Sequence, residues 1–219
     1  MPLGRRPSPW LQNIEKLNSK PEFQLFEVGP GGILLGGDLE LSKGPDDEFE
    51  ARIEGVRSGI WHTVLIYEDS ETSGWKEFRR ATAQWVAEGP LDIEALAVAF
   101  PDPNLNPLTA WKKVGSYSVD SGAHGVIDQD GLASKIADAH GSREYVLEMC
   151  SDVSSAANMV SAQIGFVIGG DDGGYNIWAR KHTDKIVEIM VRPNFEEDGE
   201  GFEYEDARDD HGEDEDSEE

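Results

Sequence analysis

Short apolar runs separated by glycine and proline recur along most of this chain. Ile60–Tyr67 is the clearest run, because it is rich in β-branched and aromatic residues and ends in a polar loop. Phe78–Ala87 follows it and is predicted to be its partner strand. Further strands are predicted at residues 23–26, 33–35, 49–53, 114–119, 163–168, 175–179 and 185–191. The pattern indicates a mainly β or α+β protein whose antiparallel sheet forms a sandwich or a barrel-like arrangement.

Helical spacing of apolar residues is confined to two or three short segments. Residues 8–18 are predicted to form a helix capped by Ser8. A second helix is predicted at residues 128–141, and a third at residues 142–150. The run at residues 91–100 fits either a strand or a helix, and its periodicity does not decide between them.

The charge of the chain is distributed unevenly. Its net charge of −25 comes from 44 acidic and 19 basic residues, and residues 195–219 alone contain fifteen acidic residues and one arginine. A segment with that charge and so few apolar residues cannot form a packed core, so it is predicted to be disordered. We therefore divide the chain into an N-terminal arm and helix (1–21), one β-rich globular domain (22–194) and an acidic tail (195–219).

The charge and composition argue against a nucleic-acid-binding, membrane-spanning, secreted or disulfide-bonded protein. Direct binding to nucleic acid is disfavoured because phosphates would be repelled, whereas a basic protein partner is favoured. No segment approaches the roughly 20 consecutive apolar residues of a membrane span, and no secretory signal follows the N-terminal arginines. The single cysteine, Cys150, excludes an internal disulfide. A cytoplasmic protein without membrane association is expected.

The best candidate for chemistry is a cluster of ionisable residues: Asp120, His124 and Asp128. Two carboxylates and an imidazole can bind a divalent metal ion or act as an acid and a base. In an extended segment, residues four apart share one face, so all three are candidate metal ligands and catalytic residues. The alternative is structural: Asp120 accepts backbone N–H groups in a turn, and Asp128 caps the following helix. No cofactor other than such a metal ion is predicted.

Two functions from different classes are compatible with these features. The favoured one is a non-enzymatic acidic protein-binding module, such as an immunity protein or antagonist that covers a basic toxin or nuclease. Aromatic residues would then anchor the partner, and Trp61, Tyr175 and Trp178 are the candidates. The alternative is a metal-dependent hydrolase or lyase that uses the cluster of Asp120, His124 and Asp128. The tail itself can shield the domain from nucleic acid, keep it soluble or bind basic proteins.

Four segments, taken in order, resemble a known family. They are Arg57–Trp61, Arg79–Ala83, Tyr117–Asp128 and Gly170–Trp178. Their order is similar to the bacterial domain of unknown function 4241 family, which has a Ser-Gly-x-Tyr strand, a Val-Asp-Ala-Gly segment closing with Asp, and a late Gly-Asp-Gly-x-Tyr-x-x-Trp strand. The resemblance extends over residues 25–192 and implies a mainly β domain, but it implies no activity.

The chain departs from this family pattern at three places. Ser121 stands where the family usually has alanine, and Trp61 replaces its usual aromatic residue. The late segment carries an additional Asp-Gly pair.

Overall fold

A computed structural model describes residues 22–39, 49–69, 76–89, 105–138, 164–169 and 172–194. Ten strands and one helix are found within these ranges. The strands are β1 (Glu22–Val28), β2 (Ile33–Asp38), β3 (Ala51–Glu54), β4 (Gly59–Asp69), β5 (Lys76–Ala87), β6 (Lys112–Val119), β7 (Ala123–Asp128), β8 (Gly165–Gly169), β9 (Gly173–His182) and β10 (Lys185–Pro193). The helix, α1, extends over Gln129–Asp138.

The strands form two antiparallel sheets. The six-stranded sheet has the order β1-β4-β5-β10-β9-β6, and the four-stranded sheet has the order β3-β2-β7-β8. Within the described ranges both sheets are open, ending at β1 and β6 and at β3 and β8. The mainly β prediction is thus confirmed, in its sandwich-like form.

The two longest strands show why these segments became a sheet. In β4, every residue from Gly59 to Ile66 is buried, and Trp61 lies opposite Trp85 of β5. β4 consists largely of β-branched and aromatic residues that pack well on a pleated surface. The predicted pairing of Ile60–Tyr67 with Phe78–Ala87 is confirmed, with a register shift between Ile66 and Tyr67.

A single large core fills the space between the two sheets. Trp61 is fully buried at its centre and stacks on Phe26, which in turn contacts Phe166 of the opposite sheet. Burial of aromatic side chains of this size contributes roughly 2–3 kcal/mol each. This shared core joins the two sheets into one sandwich.

A second, smaller core lies on the outer face of the four-stranded sheet, where α1 covers it. Its buried members are Leu35, Leu39, Ala123, Ile127, Leu132, Ile164 and Val167. Leu132 is the fully buried residue that α1 contributes. The helix predicted at residues 128–141 is therefore confirmed. The helices predicted at 8–18 and 142–150, the run at 91–100 and the acidic tail lie outside the described residues. In the described ranges, no helix has the length and apolar character to cross a membrane.

The edge strand β6 is held to the other sheet by a side chain. The backbone N–H of Ser118 donates to the Glu50 carboxylate, at 2.8 Å. Close by, the Cα of Gly115 faces Ala51 so tightly that an added Cβ would lie 3.2 Å from the Ala51 side chain. This contact brings β6 against β3.

Candidate functional site

The segment that carries the predicted cluster forms strand β6, a tight turn and strand β7. Asp38, at the end of β2, organises this turn. Its carboxylate accepts the backbone N–H groups of Asp120 (2.9 Å) and Ser121 (3.0 Å), and the Ser121 hydroxyl at 2.6 Å. Gly122 has a φ of 76°, a left-handed conformation that glycine adopts readily. A carboxylate from a strand distant in sequence therefore fixes the geometry of the turn.

His124 lies opposite Asp38 in the β2–β7 ladder and points into the core. The side chain is completely buried, with its Nδ1 2.7 Å from the Tyr117 hydroxyl. The imidazole also packs against Tyr175, at 4.0 Å between ring centroids, and against Phe78. Burial lowers the His124 pKa to about 3, although the negative charge of Asp38 opposes the shift. His124 is therefore neutral at physiological pH.

Asp128 ends β7 and begins α1. Its Oδ2 accepts the backbone N–H of Gly131 at 2.7 Å, three residues further along, which is the geometry of a helix N-cap. Burial raises the Asp128 pKa to about 6, whereas hydrogen bonds from the backbone of Gly131 and Gly29 act in the opposite direction. The structural alternative considered for Asp128, that it caps the following helix, is confirmed.

The three predicted ligands lie apart. A strand rises about 3.3 Å per residue, so the backbones of His124 and Asp128 are separated by roughly 13 Å. The side chain of Asp120 is exposed beyond the end of β6, while the other two are buried. Within the described ranges, no group of three or more histidine, cysteine, aspartate or glutamate residues is arranged to hold a metal ion. Sharing one face of a strand did not bring these residues within reach of one ion.

The three predicted aromatic anchors also differ in position. Trp61 is fully buried, and its indole N–H donates to the Arg57 carbonyl at 2.9 Å. Tyr175 is 3% exposed and stacks on Tyr117 in the core. Only Trp178 lies on the outer face of the six-stranded sheet, where it is half-buried. Of the three, Trp178 alone is placed where a partner can reach it.

Sequence reasoning missed Asp38 and Tyr117, the two residues that contact the predicted cluster most closely. Asp38 directly follows Gly36 and Gly37 at the end of an apolar run, so it resembles an ordinary turn residue. The signal that identifies it is its pairing with His124, which depends on the fold rather than on local sequence. Asp38 orders the β6–β7 turn through Asp120 and Ser121, and Tyr117 separately contacts the buried His124.

The net charge of the described residues differs from that of the whole chain. The described ranges contain sixteen acidic and twelve basic residues, which leaves a net charge of −4. Residues 195–219 carry −14 of the chain's −25. Most of the negative charge therefore belongs to the C-terminal segment and not to the described sheets and helix.

Comparison with known proteins adds no functional assignment. No protein-family model matches the chain, and no curated protein or solved structure was found to match it.

Proposed function

We propose that this chain is a non-enzymatic protein-binding module whose acidic C-terminal segment, residues 195–219, recognises a basic protein partner. The observation that carries the proposal is the charge asymmetry: −14 in this segment against −4 in the described ranges. A concentrated negative charge attracts a basic protein and accelerates its association, while it repels nucleic acid. In this proposal the sandwich serves as the rigid support for the segment.

Burial of the ionisable groups in the sandwich supports a binding role over chemistry. His124 is completely buried and Asp128 is 2% exposed, so neither is accessible to a substrate in solution. Asp38 is occupied by the two backbone N–H groups and the hydroxyl of the β6–β7 turn. These side chains stabilise the fold, so recognition of a basic partner is assigned to the acidic segment instead.

The test compares two full-length variants that each lose five negative charges. The first replaces five acidic residues of the segment by their amides: Glu213, Asp214, Glu215, Asp216 and Glu218. The matched control does the same at five exposed acidic residues of the described ranges: Glu54, Asp69, Glu88, Asp120 and Asp172. The probe is a fluorescently labelled peptide of alternating lysine and alanine, and its Kd is measured by anisotropy at about 0.1 M salt.

The segment variant is expected to bind the peptide at least about tenfold more weakly than the wild type, whereas the control changes by less than about threefold. Near-ultraviolet circular dichroism verifies that both variants keep the native packing. Equal losses in the two variants would show that total charge, and not the segment, governs binding, and would contradict the proposal. For a folded basic partner, such as the toxin or nuclease of an immunity-type antagonist, binding that survives about 0.5 M salt would reveal an additional packed interface.

A further inference from the structure

Basic residues are concentrated at one end of the six-stranded sheet, although the chain as a whole is acidic. We name this end the basic edge; its residues are Lys112, Lys113, Arg180, Lys181 and Lys185. They come from the start of β6 and from the hairpin that joins β9 to β10. The basic edge therefore contains five of the twelve basic residues in the described ranges.

Backbone pairing places these residues at the same end of the sheet, with Lys113 and Lys181 on opposite faces. Lys113 lies opposite Trp178 in the β6–β9 ladder, three residues before Lys181 on β9. The segment before β6 is attached to the hairpin, because Thr109 and Lys181 exchange hydrogen bonds through the Thr109 N–H and hydroxyl, both at 2.9 Å. Lys185 pairs with His182 at the tip of the same hairpin.

Among the described residues, few carboxylates lie near the basic edge, and Glu54, next to the Gly55 carbonyl that accepts the Ile186 N–H, is already paired with Arg52. Glu188 forms an ion pair with Arg180 at 3.0 Å, and Asp184 is the acidic residue of the hairpin turn. The exposed Lys113, Lys181 and Lys185 form no ion pair with another residue of the described ranges. Beside them lies Trp111, whose ring is 5.3 Å from the Arg180 guanidinium. An anionic ligand with aromatic residues fits a surface of this kind.

The chain itself supplies such a ligand within reach. Residues 195–219 begin after Asn194, which is fixed at the opposite end of β10, where its N–H donates to the Gly174 carbonyl at 2.7 Å. The nine residues of β10 place this point about 30 Å from the hairpin. A coil of 25 residues has a root-mean-square span of roughly 25–30 Å, and charge repulsion extends it further. Attachment to the same molecule also gives the segment an effective concentration on the order of millimolar.

We infer that residues 195–219 dock on the basic edge of their own sandwich, and that a basic partner competes with this edge for the segment. The competition rests on the proposed function, because it requires a basic partner. The docking does not, because it occurs within one molecule. Phe202 and Tyr204 are the aromatic residues of the segment that can pack beside Trp111. In the free protein the contact would reduce the availability of the segment and so oppose binding of weakly basic proteins.

Docking is tested on the full chain with a spin label near its C-terminus. The label is attached at Ser217→Cys in a Cys150→Ser background, and the indole N–H signals of the six tryptophans are followed by NMR. We expect the Trp111 signal to lose most of its intensity at low salt and to recover at about 0.5 M salt. The Trp61 signal from the core serves as the internal reference.

A charge-reversal pair gives the decisive comparison. Lys113→Glu with Lys181→Glu changes the basic edge, whereas Arg52→Glu with Lys135→Glu makes the same change in charge on β3 and α1. The broadening of Trp111 should disappear in the first pair and persist in the second. Broadening of the Trp111 signal that survives the first pair, or broadening that falls instead on the Trp85 signal of β5, would overturn docking at this edge.

The competition is measured separately by adding the lysine–alanine peptide. The peptide should restore the Trp111 signal, and the first variant pair should bind the peptide about three- to tenfold more tightly than the second, because the internal competitor is lost. If the segment docks but the peptide binds neither protein, the proposed function fails while docking stands. If the peptide binds both variant pairs equally and no broadening occurs, docking fails while the proposed function stands.

Discussion

The two ends of strand β7 each contain a buried ionisable residue, but they stabilise different parts of the molecule. At the start of the strand, His124 lies among aromatic rings beside Asp38, whose carboxylate holds the β6–β7 turn. At its end, Asp128 caps α1. Burial lowers the pKa of the histidine and raises that of the aspartate, so both shifts favour the uncharged form.

This difference shows how ionisable residues that are close in sequence come to stabilise two separate parts of the structure. Four residues along a helix bring side chains together, whereas four residues along a strand carry them about 13 Å apart. Each residue then takes its partners from whichever element is adjacent: β2 and β6 at one end, and α1 at the other. The two ends should consequently respond differently to substitution and to pH.

The largest effect is expected at the turn. In Asp38→Ala, the N–H groups of Asp120 and Ser121 lose a charged acceptor in a partly buried place, which should lower the free energy of unfolding by about 3 kcal/mol. Urea unfolding at neutral pH measures the change. Asp120→Ala, which removes an exposed carboxylate from the same turn, is the matched control and should change stability by less than about 0.5 kcal/mol. Similar losses in both variants would contradict the role assigned to Asp38.

A smaller effect is expected at the helix end. Asp128→Ala removes the cap of α1 and should lower the free energy of unfolding by about 1–2 kcal/mol. Asp128→Asn retains an oxygen that can accept the Gly131 N–H and removes a buried charge, so it should lower stability by less than about 0.5 kcal/mol. The same urea titration distinguishes the two variants. Equal destabilisation by alanine and asparagine would show that capping is not what Asp128 contributes.

The smallest effect is a pair of opposite pH dependences. The folded-state pKa of His124, about 3, lies below its ordinary 6.5, so its contribution to stability is complete above pH 6.5 and is lost as the pH falls. The folded-state pKa of Asp128, about 6, lies above its ordinary 3.8, so its contribution is complete below pH 3.8 and is lost as the pH rises to 6. Between pH 6 and pH 5, each residue changes the free energy of unfolding by about 1 kcal/mol: His124 lowers it and Asp128 raises it.

Unfolding titrations at pH 6 and pH 5 resolve the two contributions. His124→Phe should remove the loss of stability on acidification from pH 6 to pH 5. Asp128→Asn should make that loss steeper, because His124 and His62, whose pKa values are both lowered by burial, remain in this variant. Val126→Ala, on the same strand between them, should reduce stability without altering its dependence on pH. Shifts in the same direction for the first two variants would refute this account.

Much of the fold could be predicted from sequence because its strands are marked locally. Ile60–Tyr67 has the composition of a strand and polar residues at its end, so β4 was recognisable without knowledge of its neighbours. Capping of α1 by Asp128 was also foreseeable, since cap and helix are adjacent in sequence.

The rest depended on contacts between distant parts of the chain. Asp38 and Asp120 are separated by 82 positions, and only the pairing of β2 with β7 brings them together. Trp61 and Tyr175 were plausible anchors as aromatic residues, but the inward face of each strand decided their burial. The basic edge was hidden by the net charge of −25, because its lysines come from segments about 70 residues apart.

The contact of Glu50 with Ser118 has a consequence for self-association. An unpaired edge strand offers backbone N–H groups to which a strand of another molecule can add, and natural sheets protect such edges with charged side chains. On β6, the Ser118 N–H is already taken by the Glu50 carboxylate at 2.8 Å. A strand of a second molecule that paired there would have to displace the Glu50 carboxylate from the Ser118 N–H and lie next to its negative charge. Among the described residues, Glu50 thus occupies one backbone donor that an added strand would need, and its loss would free that donor on β6.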